Sequence, residues 1–325
     1  MGEEGMIFAV PVGAFLAALW AALLLIPRLY RARIVGRDMH KMDQREIPEM
    51  GGLALVAGFG AGMLLSIAME TFWPDLLSVD LTALLAVLCT VLLTTMIGVL
   101  DDLFGIRQWV KALLPLIAAL PLVAVRVGHS VMRIPIIGRV DFGPFYALFL
   151  VPFGVTGAAN AVNMLAGFNG LEAGMGLVAM GSLAVIAASL GATTSLVLLL
   201  AGIGGLLGVL YFNWYPAKVF VGDVGTLSIG AIIAAAVIVG NFETAGIIVF
   251  IPYVVDLVFK VTHRFPKSFG ELRNGKLYCP ADGPKGLCQA IMKLAGGIHE
   301  RTLVLVLMGI EALFGALAIF LYGWR

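Results

Sequence analysis

Charge is scarce in this chain: Lys, Arg, Asp and Glu make up only 13% of its 325 residues, while 61% are hydrophobic and the mean hydropathy is +1.02. A soluble globular domain devotes about 25% of its residues to charge, so that class is excluded and the chain reads as an integral membrane protein. Cysteine is nearly absent too. Cys89 falls inside an apolar run, and Cys279 and Cys288 lie in a basic loop, a pattern that excludes a disulfide framework and a zinc site. The chain also lacks a long polar block, an internal repeat and a low-complexity linker. One membrane domain over residues 1–325 is therefore expected, where the length alone would suggest two soluble domains. The start, Met1-Gly-Glu-Glu-Gly, is acidic, and Met6 stands where a myristoylation signal wants Ser or Thr; neither a cleaved signal peptide nor a lipid anchor is expected. The net charge of +1 names no partner by itself, and no nucleic acid is expected.

What the chain does have is apolar runs long enough to cross roughly 30 Å of hydrocarbon. They lie near residues 6–27, 50–69, 81–100, 112–127, 142–162, 173–190, 195–212, 225–240, 245–262 and 302–323. The predicted fold is all-α, a polytopic membrane protein of about ten helices. Lys and Arg crowd one side. Arg28, Arg31, Arg33, Arg37, Lys41 and Arg45 follow the first run, Arg107, Lys111 and Lys218 join them, and eight more lie between Lys260 and Arg301, in a longer loop at about 263–301. Only Arg126, Arg133, Arg139 and Arg325 fall on the other side. The positive-inside rule makes the crowded side cytoplasmic and puts both termini outside. The outward loops are short, which argues against a receptor or adhesin. Glycines at small-residue spacing, Gly170 to Gly174 and Gly204 to Gly208, are explained by helix packing.

Polar groups that packing does not require gather at the crowded side. Asp101 and Asp102 end the third run. One ionised Asp at bilayer depth costs about 2.5–3.5 kcal/mol and two neighbours repel, so the pair asks for a cation, which Lys111 or a divalent metal could supply. A helix end merely marked by charge is the plainer alternative. In the first basic loop, Pro48 holds Ile47 extended and can open the next helix. Glu49 follows it, placed to cap that helix or to meet a ligand. Between the fifth and sixth runs, Asn160, Asn163 and Asn169 bring amides that can ligate a hard cation or read a heterocycle, with Asn160 and Asn163 on one helical face. Gly222 and Gly225 frame Asp223 at a helix start, where backbone N–H groups favour phosphate. His299 and Arg301 abut the tenth run. Carboxylates, amides, a glycine-framed Asp and cations on one membrane face describe metal-assisted phosphoryl transfer to a lipid. A secondary transporter is the rival reading, but its polar site would lie near the bilayer midplane.

The stretches Asp101-Asp102, Asn160-Ala-Val-Asn-Met-Leu-Ala-Gly-Phe-Asn-Gly-Leu-Glu-Ala-Gly174, Phe220-Val-Gly-Asp223 and Gly297-Ile-His-Glu-Arg301 resemble the polyprenyl-phosphate N-acetylhexosamine-1-phosphate transferases. Within them the chain is most similar to the eukaryotic and archaeal branch that uses UDP-GlcNAc and dolichyl phosphate. The resemblance implies transfer of N-acetylhexosamine-1-phosphate, GlcNAc-1-phosphate above all, from a UDP-sugar to polyprenyl or dolichyl phosphate, with release of UMP. It implies Mg²⁺ (Mn²⁺ as a substitute) on Asn163 and Asp223, pyrophosphate on Lys111, and uracil near Asn169 and Phe220. Asp101 is the implied activator of the lipid phosphate, with Asp102 beside it. Lys41, Glu49, His299 and Arg301 complete the substrate-binding candidates. The implied setting is the plasma membrane of a prokaryote, an archaeon foremost, with the site facing the cytoplasm and a homodimer as the assembly to consider. Ala166-Gly167 replaces an Asp-Gly of the bacterial cell-wall branch, and after Cys279-Pro280 the sugar-reading Arg-His-Arg of the eukaryotic enzymes is missing. Sugar identity is thus the least anchored expectation.

Overall fold

The structure, a computed structural model, describes residues 7–74, 77–134, 137–266 and 269–322. The acidic start with Met6, and also Lys267 and Arg325, lie outside the described residues. The chain is mostly helical. Helix α1 (Ala9–Arg31) leads into a small antiparallel hairpin, β1 (Val35–Arg37) with β2 (Glu46–Pro48), in which Gly36 faces Ile47. Then come α2 (Gly52–Phe72), α3 (Leu81–Phe104), α4 (Gln108–Ala118) and α5 (Leu120–Ala124). A second hairpin, β3 (Val131–Ile134) with β4 (Gly138–Asp141), precedes a π-helical turn (Tyr146–Leu150) and α6 (Val151–Met164). The long helices α7 (Leu171–Ser189), α8 (Thr193–Asn213) and α9 (Gly222–Gly240) follow, then α10 (Glu243–Val249) and α11 (Ile251–Thr262). A third hairpin, β5 (Glu271–Arg273) with β6 (Lys276–Tyr278), leads to α12 (Leu287–Leu294) and the last helix, α13 (Glu300–Tyr322).

Eight of the described helices are long and apolar enough to cross a membrane, and α10 with α11 make a ninth apolar segment bent by 59°. Pro252 sits at the start of α11, where it cannot donate a hydrogen bond back into the preceding turn. The run expected at 112–127 is different in kind. It is two short helices, with Pro115 inside α4 and Pro121 opening α5, yet the pair carries the chain from Lys111 to Gly128, which packs against the far end of α9 at Ile238. Leu29, near the end of α1, packs with Met50 and Val224, and Glu300, at the start of α13, pairs with Lys41 of the first hairpin.

The loop expected at 263–301 is folded rather than loose. Leu277 and Ile298 exchange backbone hydrogen bonds of 2.7 and 3.0 Å, and the Gln289 side-chain amide donates to the Phe269 carbonyl at 2.8 Å. Pro48 ends strand β2 instead of opening a helix; α2 begins four residues later, at Gly52.

Helix α9 is the centre of the bundle, with α3 and α6 against it. Glycines at its contacts let backbones meet: a Cβ on Gly98 of α3 would stand 2.5 Å from Val224 N and Cα, and one on Gly52 of α2 would stand 2.1 Å from Gly225 N. Thr95 and Ser228 add a hydroxyl hydrogen bond of 2.9 Å between α3 and α9, the type of polar contact that holds helices together where lipid offers no hydrophobic drive. Gly204 and Gly208 do serve packing, since a Cβ on Gly204 would lie 2.3 Å from Pro11 O of α1. Gly170 has another reason. It sits at φ +84° just before α7, a left-handed turn that costs glycine little.

Candidate active site

Where α3 ends, Gly105 turns left-handed (φ +66°) and its N–H bonds Asp101 O at 2.8 Å, sending the chain back into α4. Asp101 closes that turn, accepting the Ile106 N–H at 2.7 Å through one carboxylate oxygen. Its other oxygen lies 2.7 Å from Lys111 Nζ. Lys111 also pairs with Asp223, and Asp223's second oxygen accepts from the Asn163 amide, which donates in addition to Thr226 Oγ1 at 2.8 Å. Three helices and the first turn of α9 thus converge on one carboxylate. The Asp223 side chain keeps 27% of its surface open, against 7–8% for Lys111 and Asp101, so Asp223 is the group an incoming ligand meets.

Asp102 does something the sequence does not announce. Its two oxygens accept the backbone N–H groups of Asp223 at 3.1 Å and Val224 at 3.3 Å. The first four N–H groups of an α-helix lack internal partners; here a carboxylate from α3 takes two of them and compensates the positive helix end. The Phe220 N–H bonds Pro48 O, and Phe220 O takes the Gly51 N–H, both at 2.8 Å, so the first hairpin and the segment before α9 form one backbone unit. Glu49 is carried on that unit. Burial, with the negative charge of Asp223 added, holds its carboxyl above the usual range. Four carboxylates, Asp101, Asp102, Asp223 and Glu49, thus gather here, and two of them, Asp101 and Asp223, pair with the Lys111 ammonium. Oxygen donors in excess of cations are what a hard divalent ion selects; Asn163 can present its amide oxygen to the same point by turning about its last torsion.

Asn160 departs from its expected role. Its amide donates to Thr156 O at 2.8 Å and Ala112 O at 3.0 Å, fastening α6 to α4, so only Asn163 of the helical pair enters the site.

Asn169, Lys41, His299 and Arg301 belong to a second cluster at the same end of the bundle. Asn169 Nδ2 donates to Asp38 at 3.0 Å and its backbone N–H to Glu300 at 2.8 Å. Lys41 bridges those two carboxylates, 3.3 Å from Asp38 and paired with Glu300, and stands 4.3 Å over the ring of Tyr215. His40 stacks on Phe168 at 4.5 Å with Phe269 edge-on at 5.5 Å; burial pushes its imidazole down to about 4, against the pull of Asp38, and keeps it neutral. Asp38, His40 and Glu300 bring one ligand atom each within 4.8 Å of one another, but the Lys41 ammonium already supplies the cation there. Beside this cluster opens a cavity of about 320 Å³ lined by His40, Tyr215, His299, Glu300 and Arg301. The His299 Nδ1–H donates to Gly275 O at 3.0 Å. A larger cavity, about 530 Å³, lies at the opposite end around Arg126, His129 and Asn241; the one carboxylate among its described lining residues, Asp80, is engaged in capping α3.

Asp38, His40, Tyr215 and Glu300 were not among the residues picked from sequence. Asp38 and His40 flank Lys41 closely enough to have been read with it, and Glu300 separates His299 from Arg301; proximity to those candidates was the available signal.

The chain matches the family described as Glycosyl transferase family 4 over residues 84–241, the stretch that holds both Asp residues, Lys111, the Asn-rich turn and Asp223. A protein of Saccharolobus solfataricus is 39% identical over 316 residues, covering 95% of this chain and 93% of its own length. One of Sulfolobus acidocaldarius is 36% identical over 322 residues, covering 97% and 95%. Both carry the provisional name UDP-N-acetylglucosamine--dolichyl-phosphate N-acetylglucosaminephosphotransferase. The Schizosaccharomyces pombe protein of that name, given without qualification, is 31% identical over 308 residues, 78% of this chain and 67% of the yeast one. With more than a third of its residues shared along nearly the whole of its length, the chain belongs to the polyprenyl-phosphate N-acetylhexosamine-1-phosphate transferases of glycosyl transferase family 4.

Proposed function

We propose that the chain transfers N-acetylglucosamine-1-phosphate from UDP-GlcNAc to dolichyl or another polyprenyl phosphate, releasing UMP and beginning a lipid-linked glycan. The observation that carries this is Asp223, partly open at the start of α9 and shared between Lys111 and Asn163. Such a point collects a phosphate-bridging cation and a pyrophosphate together. The names of the relatives agree with this donor and acceptor.

An oxygen of the lipid phosphate forms the new bond to the sugar-side phosphorus as the bond to UMP breaks, and UMP leaves with the electron pair. Mg²⁺, held by Asp223 with Asn163, would supply charge neutralisation on the pyrophosphate. Lys111, kept in place by Asp101, holds a cation against the same phosphates. Asp101 stands where it can orient the lipid phosphate, a group already anionic near neutral pH; Asp101→Asn should therefore lower kcat by much more than it raises the KM for UDP-GlcNAc. An equal loss in donor binding would place Asp101 on the donor side. His299 and Arg301, on the wall of the 320 Å³ cavity, are positioned to select the N-acetylated sugar. The polar groups gather at one end of the bundle and not at mid-helix, which disfavours a transporter.

The test is purified protein in detergent with radiolabelled UDP-GlcNAc and polyprenyl phosphate. Label should move to the lipid phase with UMP released, and excess chelator should stop it; full transfer in chelator would remove the metal from the proposal, and no transfer with any polyprenyl phosphate would remove the function. The distribution of basic residues supports a site facing the cytoplasm, and the archaeal relatives support an archaeal plasma membrane. A cysteine replacing the exposed Lys276, in a protein cleared of its three native cysteines, should react with an impermeant thiol reagent only in inverted vesicles. Reaction from outside would reverse the topology.

A further inference from the structure

The Asn169 side chain is buried, and among the described residues its amide has one partner, the carboxylate of Asp38. A carboxylate only accepts hydrogen bonds. Asp38 therefore dictates which way the amide faces: Nδ2 must turn toward Asp38, and the carbonyl oxygen, on the other side of the same carbon, is turned away from it. The amide cannot easily rotate by half a turn, because that would set its oxygen against a carboxylate oxygen and leave a buried donor unpaired. Asp38 is itself fixed. Its other oxygen accepts its neighbour's backbone N–H, from His40, at 3.3 Å, and Lys41 ties it to Glu300, which takes the Asn169 backbone N–H. Side chain and main chain of Asn169 are thus both clamped, from a hairpin 131 residues earlier in the chain and a helix start 131 residues later.

We infer that Asp38 is the positioning residue that sets the hydrogen-bond polarity of Asn169 and so makes the donor site choose uracil over cytosine. This rests on the proposed function, with Asn169 taken as the amide that reads the nucleobase of the UDP-sugar. An amide locked with its oxygen turned away from Asp38 is oriented to accept from the N3–H of uracil. Cytosine has a lone pair at N3 in place of that proton, so the same oxygen would face another acceptor. A site built around a hydrogen bond can reject a partner that lacks it by about 10⁴-fold; a single locked amide is expected to give at least about 10²-fold. A freely rotating amide would present its NH₂ to cytosine and lose that selection.

Binding of UMP, CMP and N3-methyl-UMP to the purified full-length protein tests this. Wild type should bind UMP well over tenfold more tightly than either of the others, a result that needs no variant to fold; equal binding of N3-methyl-UMP overturns the inference. Asp38→Asn offers Asn169 both a donor and an acceptor and frees the amide to turn. The UMP-to-CMP preference should then fall by about tenfold or more, with the KM for UDP-GlcNAc rising much more than kcat falls. The exchange Asp38→Asn with Asn169→Asp reverses the pair while leaving only an acceptor toward the base, so the preference for UMP should return. A role in folding alone predicts no such return, and an unaltered preference in Asp38→Asn also overturns the inference while the transferase reading stands. If wild type bound no uridine nucleotide at all, the proposed function would fall and this inference with it.

Discussion

Asp223→Ala is expected to cut transfer by at least about 10²- to 10³-fold, the scale of losing one principal electrostatic contact in a reacting site, and to do so without unfolding the protein. The two expectations have separate causes. Asp223 is the more open of the site's paired carboxylates, and it meets both Lys111 and Asn163, so its removal takes away the charge around which cation and pyrophosphate would assemble. The start of α9, in contrast, is held by Asp102 through the backbone N–H groups of residues 223 and 224, which alanine retains. A monodisperse variant with a wild-type melting temperature and no transfer is the predicted outcome. Wild-type turnover in the variant would mean that the carboxylate does not carry the chemistry.

Lys111→Met should cost stability as well as activity. The Lys111 ammonium is almost fully enclosed between Asp101 and Asp223, and Asp101 is equally enclosed. Removing one member of a buried ion pair leaves the other charge without compensation, a loss of about 3–5 kcal/mol; Asp223, more open to water, contributes the smaller share. The melting temperature in detergent should fall accordingly and transfer should become undetectable. Adding Asp101→Asn to Lys111→Met removes the stranded charge, so part of the melting temperature should return while transfer does not. Should the double variant melt no higher than the single one, the stability loss would belong to packing of the lysine stem.

How far the sequence carried can be judged at particular residues. The Asp pair, Lys111, Asn163 and Asp223 were legible because charge and amide groups stand out against apolar runs, and the structure joins them through Lys111 and Asp223. Asp102 was legible as a member of the pair but not in its task, since its partners are backbone groups 121 and 122 positions onward and backbone atoms have no signature in composition. The clamp on Asn169 depends on side chains drawn from opposite ends of the chain, and sequence spacing says nothing about such contacts. The passes through the bundle followed hydropathy, although their breaks did not: Pro115, Pro121 and Pro252 stand where one run was read and two helices form, a boundary that proline's missing N–H could have indicated. The three hairpins escaped because strands of three or four residues are too short to show an alternation.

The burial of α9 has a consequence for how the protein meets membranes of different thickness. Within its apolar window 83% of residues are enclosed by other helices, against 28% for α1 and 33% for α13. Hydrophobic mismatch acts through surface that touches lipid, and helices answer it by tilting or by distorting the bilayer around them. The helices that must answer are the outer ones, α1 and α13, which present broad faces to the acyl chains. α9 is shielded from that stress, and it is joined to α2 and α3 by backbone contacts that leave no side-chain cushion to compress. A bilayer thicker or thinner by a few ångströms would thus be accommodated at the rim of the bundle, while Asp223 and the groups around it keep their separations.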